Sequence, residues 1–194
     1  MHLKSDEVFV DCGAFDGDSV VAFLKRSGGS LKGVVAIEAD PRNADRLRES
    51  MSRLPKEVAA KVTVIQAAVG AKDGIVRFAV TGTAASHTDA AAGQGTFEVP
   101  CRTLDGLLAG RNPSYIKMDI EGAEPSAVEG CRQVIQQDAP VLAICLYHRQ
   151  SDLWEIPLQI RAMTDRYSFF LRRYSDYCWE QVLYAIPRER LVTP

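Results

Sequence analysis

The chain has 194 residues, 46% of them hydrophobic, with 23 Lys and Arg against 25 Asp and Glu and a formal net charge of -2. That length supports one sizeable core, so residues 1–194 are expected to form a single α/β domain. The charges form no block, no apolar run approaches the roughly 20 residues that span a bilayer, and MHLKSDEVFV is no apolar leader; nucleic acid and membranes are thus excluded as expected partners and the protein is expected to be cytoplasmic.

Short apolar runs alternate with amphipathic segments, the pattern of a parallel sheet with helices on both faces. Residues 7–11 read as a buried first strand, 19–25 as a helix and 34–38 as the second strand. Pro41 suits the first turn of a helix reaching about residue 53, and 62–66 is the third strand. Residues 74–80 (GIVRFAV) read as an extra strand. The small, polar stretch 81–95 that follows has the composition of a mobile binding loop, in which His87 is a candidate substrate contact. Residues 97–102 resume as a strand and Thr103 caps a short helix. The spacing then predicts a strand over 115–119, a helix over 124–137 and a strand over 141–147. Pro157 marks the expected start of the next helix, with Asp152 and Leu153 in the turn before it. Residues 169–174 and 181–186 are joined by only six residues, which allows only an antiparallel hairpin. Cys12, Cys101, Cys131, Cys145 and Cys178 contain no CxxC pair and accompany only three histidines, so they read as reduced, packed thiols.

In an open parallel sheet ligands bind outside the carboxyl ends of the strands. Three such ends carry an acid, Asp11, Glu38 and Asp119, and like charges on one rim need a cation or several donors between them. The turn DCGAFDG offers Gly13 and Gly17, short of the third glycine of a dinucleotide fingerprint, and surrounds them with Asp11, Asp16 and Asp18. A pyrophosphate would be repelled there, whereas a cationic group would be welcome. Glu38 is placed to accept the hydroxyls of a ribose. Adenosine at the second strand and a cationic amino acid at the first describe S-adenosylmethionine.

The blocks VDCGAFDGDS (10–19), IEADP (37–41), QAAVG (66–70), TLD (103–105), IKMDIEGAE (116–124), LYH with DLWEIP, and LRRYS with VLYAIP resemble the FkbM-type S-adenosylmethionine-dependent methyltransferases over nearly the whole chain. The resemblance implies a Rossmann-like class I methyltransferase fold: seven mostly parallel strands ordered 3-2-1-4-5-7-6, the last antiparallel, with an extra hairpin after the third. Its implied cofactor contacts are Asp11, Gly13, Ala14, Asp16, Gly17, Ser19, Glu38, Ala39, Gln66, Ala67 and Asp119. Many relatives place Asn where Phe15 stands, so Asp16 or Ser19 is expected to hold the amino-acid end instead.

The expected reaction is O-methylation of a hydroxyl on a small molecule or saccharide. Methyl transfer from a sulfonium rests on alignment, and an alcohol gains from a base. His148, with a reference pKa of about 6.5, is the candidate base; a histidine hydrogen-bonded with Asp152 in a helix-start turn is the other reading. Asp119 either acts as base or orients the acceptor. Glu121 and Tyr147 are candidate substrate contacts, although Glu121, like Glu124, also reads as an acid favoured at a helix start. Asp119 and Glu121 alone make an incomplete metal shell, so no metal is assigned. Two further readings stay open, an NAD-dependent oxidoreductase and a non-catalytic cofactor-binding or assembly module. Helices that relatives carry ahead of the first strand are not found here, so the acceptor site is expected either open or closed by the second subunit of a homodimer.

Overall fold

In the computed structural model, which describes residues 3–28, 30–79, 96–175 and 180–191, the apolar runs form the strands of a central sheet. β1 (Val8–Cys12) leads into α1 (Asp18–Arg26), and β2 (Gly33–Glu38) into α2 (Pro41–Ser52) and the single turn α3 (Lys56–Ala59). After β3 (Val62–Gln66) come β4 (Ala68–Val69), β5 (Gly74–Ala79), β6 (Thr96–Arg102) and the turn α4 (Leu104–Leu107). The rest runs β7 (Tyr115–Met118), α5 (Glu124–Glu129), α6 (Arg132–Gln137), β8 (Val141–Cys145), α7 (Asp152–Met163), β9 (Tyr167–Arg173) and β10 (Gln181–Pro187), and ends in a 3-10 turn, Arg188–Arg190.

Seven strands pair in the order β3-β2-β1-β7-β8-β10-β9, and β10 alone runs against its neighbours. This is the expected topology. The hairpin β5–β6 is also present, but β4 joins it as a third strand, parallel to β6. Two residues are too few to show a period of 2, so the sequence carried no sign of β4.

Side-chain alternation along the central strands divides the core in two. Val10, Cys12, Val35, Ile37, Ile116, Met118, Leu142 and Ile144 face α5, α6 and α7. Phe9, Val34 and Ala36 face α1 and α2, where Phe9 stacks on Phe23. Cys12, Cys101, Cys131 and Cys145 are buried free thiols, as expected, and Cys178 lies outside the described residues. Among the described residues no helix is long and apolar enough to cross a membrane.

Two helix expectations need correction. The helix over 124–137 is broken into α5 and α6 at Gly130, where a Cβ would stand 2.0 Å from the carbonyl oxygen of Gly70, so the strand-side backbone presses into the break. The Asp105 carboxylate then restarts the helix by accepting the Gln133 and Val134 N–H groups, both at 3.0 Å. Pro157 does not start α7 but lies inside it. The helix begins five residues earlier on the Ser151 carbonyl, which accepts from Trp154 and Glu155. The carbonyl that Pro157 leaves without its helical donor belongs to Leu153, an exposed residue. The strand expected over 141–147 also stops at Cys145, which leaves Tyr147 and His148 in the loop beyond it.

At the opposite end of the sheet, Glu7 is fully buried. Its carboxylate accepts from Ser114 Oγ, from the Arg190 guanidinium and, at 2.9 Å, from the Lys4 N–H. This cluster ties the 3-10 turn to the N-terminal ends of β1 and β7.

Candidate functional site

The strand order reverses between β1 and β7, and the crevice opens there at their carboxyl ends. The parallel register sets Asp11 beside Lys117, and period 2 puts Asp119 on the same side as Lys117. Lys117 Nζ stands 3.2 Å from Asp11 Oδ1 and 3.7 Å from Asp119 Oδ2. The cation needed among the rim acids is therefore one of the chain's own side chains. Burial pushes the Asp11 carboxyl up to about 6, with Lys117 pulling it back down. Substitution Lys117→Met is expected to cost about 3–5 kcal/mol at pH 7.5, because a buried carboxylate loses its partner. Without the downward pull of Lys117 the Asp11 carboxyl rises above its wild-type value of about 6, so the loss should shrink as pH falls toward about 6, below which Asp11 holds its proton in both folded proteins. Urea denaturation at pH 7.5 and 5 measures both.

The turn after β1 is built around Glu38. Its Oε2 accepts the Phe15 N–H and its Oε1 the Asp40 N–H, both at 2.9 Å. Phe15 takes φ +48, and the Asp40 side chain caps α2 by accepting from Arg42 and Asn43. Burial raises the Glu38 carboxyl above the usual range while those N–H groups oppose it. Gly13 has φ +79, and a Cβ there would stand 1.9 Å from the Asp119 carbonyl oxygen. This glycine lets the β1 and β7 loops touch backbone to backbone. Gly17 instead seats α1 on α2, since a Cβ would meet Met51 Cε at 2.5 Å.

A cleft of about 460 Å³ runs from this turn to the loops after β7 and β8. Glu38, Asp40 and Asn43 stand on one wall, and Ala67–Gly70 with Val76 and Cys101 form an apolar end. Lys117, Asp119, Glu121, Tyr147 and Arg149 line the other end. There the Tyr147 hydroxyl donates to Asp119 Oδ1 at 2.7 Å. Burial, then Asp119, push the phenol far above its usual range and keep it a neutral donor. Behind Asp119, His148 has Nδ1 3.0 Å from Glu124 Oε1 and Nε2 3.6 Å from both Asp119 Oδ1 and Glu121 Oε2. Burial works against the imidazolium, but the Glu124, Glu121 and Asp119 carboxylates outweigh it and raise the His148 pKa.

Of the residues expected at the site, Gly13, Ser19, Glu38, Ala39, Ala67, Asp119, Glu121 and Tyr147 line the cleft. Asp11, Ala14 and Gly17 are buried beneath it. Asp16 is exposed, with Oδ1 accepting the Asp18 N–H, and neither it nor Gln66 reaches the wall. His148 sits behind the wall rather than on it. His87 lies outside the described residues. Glu124, read as a helix-start acid, does begin α5 but is fully buried against His148 and accepts the Ile120 N–H. Sequence reasoning missed Lys117, Arg149 and the wall from the second sheet. The sign of Lys117 was a lysine between Ile116 and Met118 in a central strand, where lysine is rarely buried unless paired.

The profile of the FkbM methyltransferase domain matches residues 11–173. The chain belongs to the FkbM methyltransferase family. Its cofactor is S-adenosylmethionine. An FkbM methyltransferase from Methylobacillus flagellatus KT superimposes with a TM-score of 0.81 at 28% identity, over 95% of this chain and 44% of that one. The FkbM chain described here thus spans less than half of that relative. A precorrin-6y C5,15-methyltransferase from Geobacter metallireducens GS-15 gives a TM-score of 0.56 at 13% identity, over 94% and 80% of the two chains. The Methanococcus jannaschii fibrillarin pre-rRNA processing protein gives 0.55 at 13% identity, over 96% and 69%. Both share the fold. No match was found among curated proteins.

Proposed function

We propose that this FkbM domain transfers the methyl group of S-adenosylmethionine to a hydroxyl of a small molecule or saccharide, in the cytoplasm. The observation that carries the reading is the pairing of Glu38 at one end of the cleft with Asp119 and Tyr147 at the other. The donor set fits the cofactor. Both Glu38 oxygens are oriented by backbone N–H groups and keep lone pairs for the ribose hydroxyls. Ala67, Val69 and Val76 offer an apolar slot for adenine, and Ser19 with the acid-flanked turn at Gly13 faces the amino-acid end.

When bound, the cofactor supplies a methyl carbon on a sulfonium, whose bonding pair stays with sulfur as the acceptor oxygen takes the carbon. The chain's part is to align that oxygen and receive its proton. Asp119 is the proton acceptor, since it lines the cleft and His148 does not. Tyr147 and Lys117 hold its carboxylate in place from two sides. His148 supports Asp119 from behind.

Calorimetry with S-adenosylhomocysteine tests the cofactor end. In Glu38→Gln, an amide N–H must face the Phe15 or Asp40 N–H, and a charged acceptor is lost. Affinity should fall about 10–100-fold, the worth of a hydrogen bond to a charged group. Because the ionised Glu38 is the binding form and its pKa is raised, wild-type affinity should weaken on acidification before an ordinary glutamate would titrate. Unchanged affinity in the variant would refute the ribose role. Transfer of a labelled methyl group to hydroxylated but not to amine acceptors tests the other end.

A further inference from the structure

The loops at the acceptor end leave polar atoms unmet. The His148 side chain is only 8% exposed, yet its Nε2 has no hydrogen-bond partner among the described residues, and the same holds for Oε2 of the fully buried Glu124. Buried polar atoms without partners are costly and call for something that meets them.

The spacing around the ring shows what that is. Nε2 stands 3.6 Å from Asp119 Oδ1 and 3.6 Å from Glu121 Oε2, too far for hydrogen bonds. Two ligands set about 2.1 Å from one octahedral ion stand roughly 3.0 Å apart when cis, so each contact would have to close by about 0.6 Å to seat such an ion. On the far side of the ring, Nδ1 is 3.0 Å from Glu124 Oε1. A metal-binding histidine is commonly held in this way, one nitrogen toward a carboxylate and the other toward the ion. Asp119, Glu124 and His148 can bring one ligand atom each to within 4.8 Å of the others, and Glu121, outside that group, reaches the ring at Nε2. Glu121 takes φ +57, left-handed backbone that an L residue adopts at a cost and that recurs at ligand sites. A protonated ring alone would serve the Glu124 side and still leave Nε2 short of both other carboxylates.

We propose that Asp119, Glu121 and His148 Nε2 form a divalent-cation site at the acceptor end of the cleft, with Glu124 as the carboxylate that holds His148. Two carboxylates and one imidazole, with positions left for water or an acceptor oxygen, suit Mg²⁺ or Mn²⁺. The ion would draw an acceptor hydroxyl to Asp119, and in this the inference rests on the proposed reading of that end as the acceptor side.

Mn²⁺ titration of the EDTA-treated full chain, read by the electron paramagnetic resonance of the free ion, tests the site without an acceptor. The expected result is one bound ion per chain, displaced by excess Mg²⁺, and binding about 10–100-fold weaker in His148→Asn and Glu121→Gln. S-adenosylhomocysteine affinity, measured in parallel, reports that each variant is folded. If His148→Asn does not fold, Glu121→Gln in its surface loop decides. No binding at millimolar Mn²⁺, or binding unchanged in the folded variants, overturns the site. In that event intact S-adenosylhomocysteine binding leaves the cofactor reading standing, whereas its loss in the wild type overturns that reading separately.

Discussion

Alanine at Gly13 should abolish S-adenosylhomocysteine binding and destabilise the domain by about 3–5 kcal/mol, combining left-handed backbone strain with overpacking. The obstacle is unusually stiff. The added Cβ would stand 1.9 Å from the Asp119 carbonyl oxygen, a backbone atom at the end of a central strand, and cannot be accommodated by turning a side chain. Relief requires moving the β1 loop away from the β7 loop, which separates Phe15 and Glu38 from Asp119. Gly110→Ala is the control. Its φ is +74 but nothing stands within 4 Å of the added Cβ, so only the backbone cost of about 1–2 kcal/mol remains. Urea denaturation of the two variants measures the contrast, and equal losses would show that close approach is not what Gly13 provides.

Asp119→Asn should leave S-adenosylhomocysteine affinity within a few-fold of wild type and lower kcat by about 10²–10⁴, the usual contribution of a general base. The amide keeps the shape and can still accept from Tyr147, but it takes no proton and no longer attracts Lys117. Turnover is to be followed with the acceptor that a labelled-methyl screen identifies. A fall in cofactor affinity with kcat unchanged would assign Asp119 to binding and leave the proton acceptor to another group. Tyr147→Phe should lose much less, since it removes one donor and leaves the carboxylate.

Which parts of this arrangement could be read from the residues follows from the range of the signals. Strand runs such as VVAIE, the proline at the head of α2 and the six-residue hairpin connection are local, and each element formed within a few residues of its expected bounds. The break at Gly130 is set by the carbonyl of Gly70 and the carboxylate of Asp105, both remote in the chain, and within 124–137 only the glycine itself hints at it. The site divides in the same way. Glu38 and Asp119 were legible as acids at strand ends. The role of Asp11 was not, because a residue at a strand end and one just below it look alike until the neighbouring strand's register is known. That register places Lys117 beside it. Likewise Tyr147 and His148 are adjacent in the sequence, yet one faces the cleft and the other lies behind it.

The clasp of Glu7, Ser114 and Arg190 stands at the far pole of the sheet, about 17 Å of strand from the rim. At that separation the effects of substitutions at the two poles should be nearly additive. The loops at 119–123 and 147–151 can therefore be exchanged for those of a relative without loosening the anchorage below. An evolving lineage, or an engineer, can redirect such a scaffold to new acceptors while the share of stability held at the far pole is kept, whatever the new loops themselves cost.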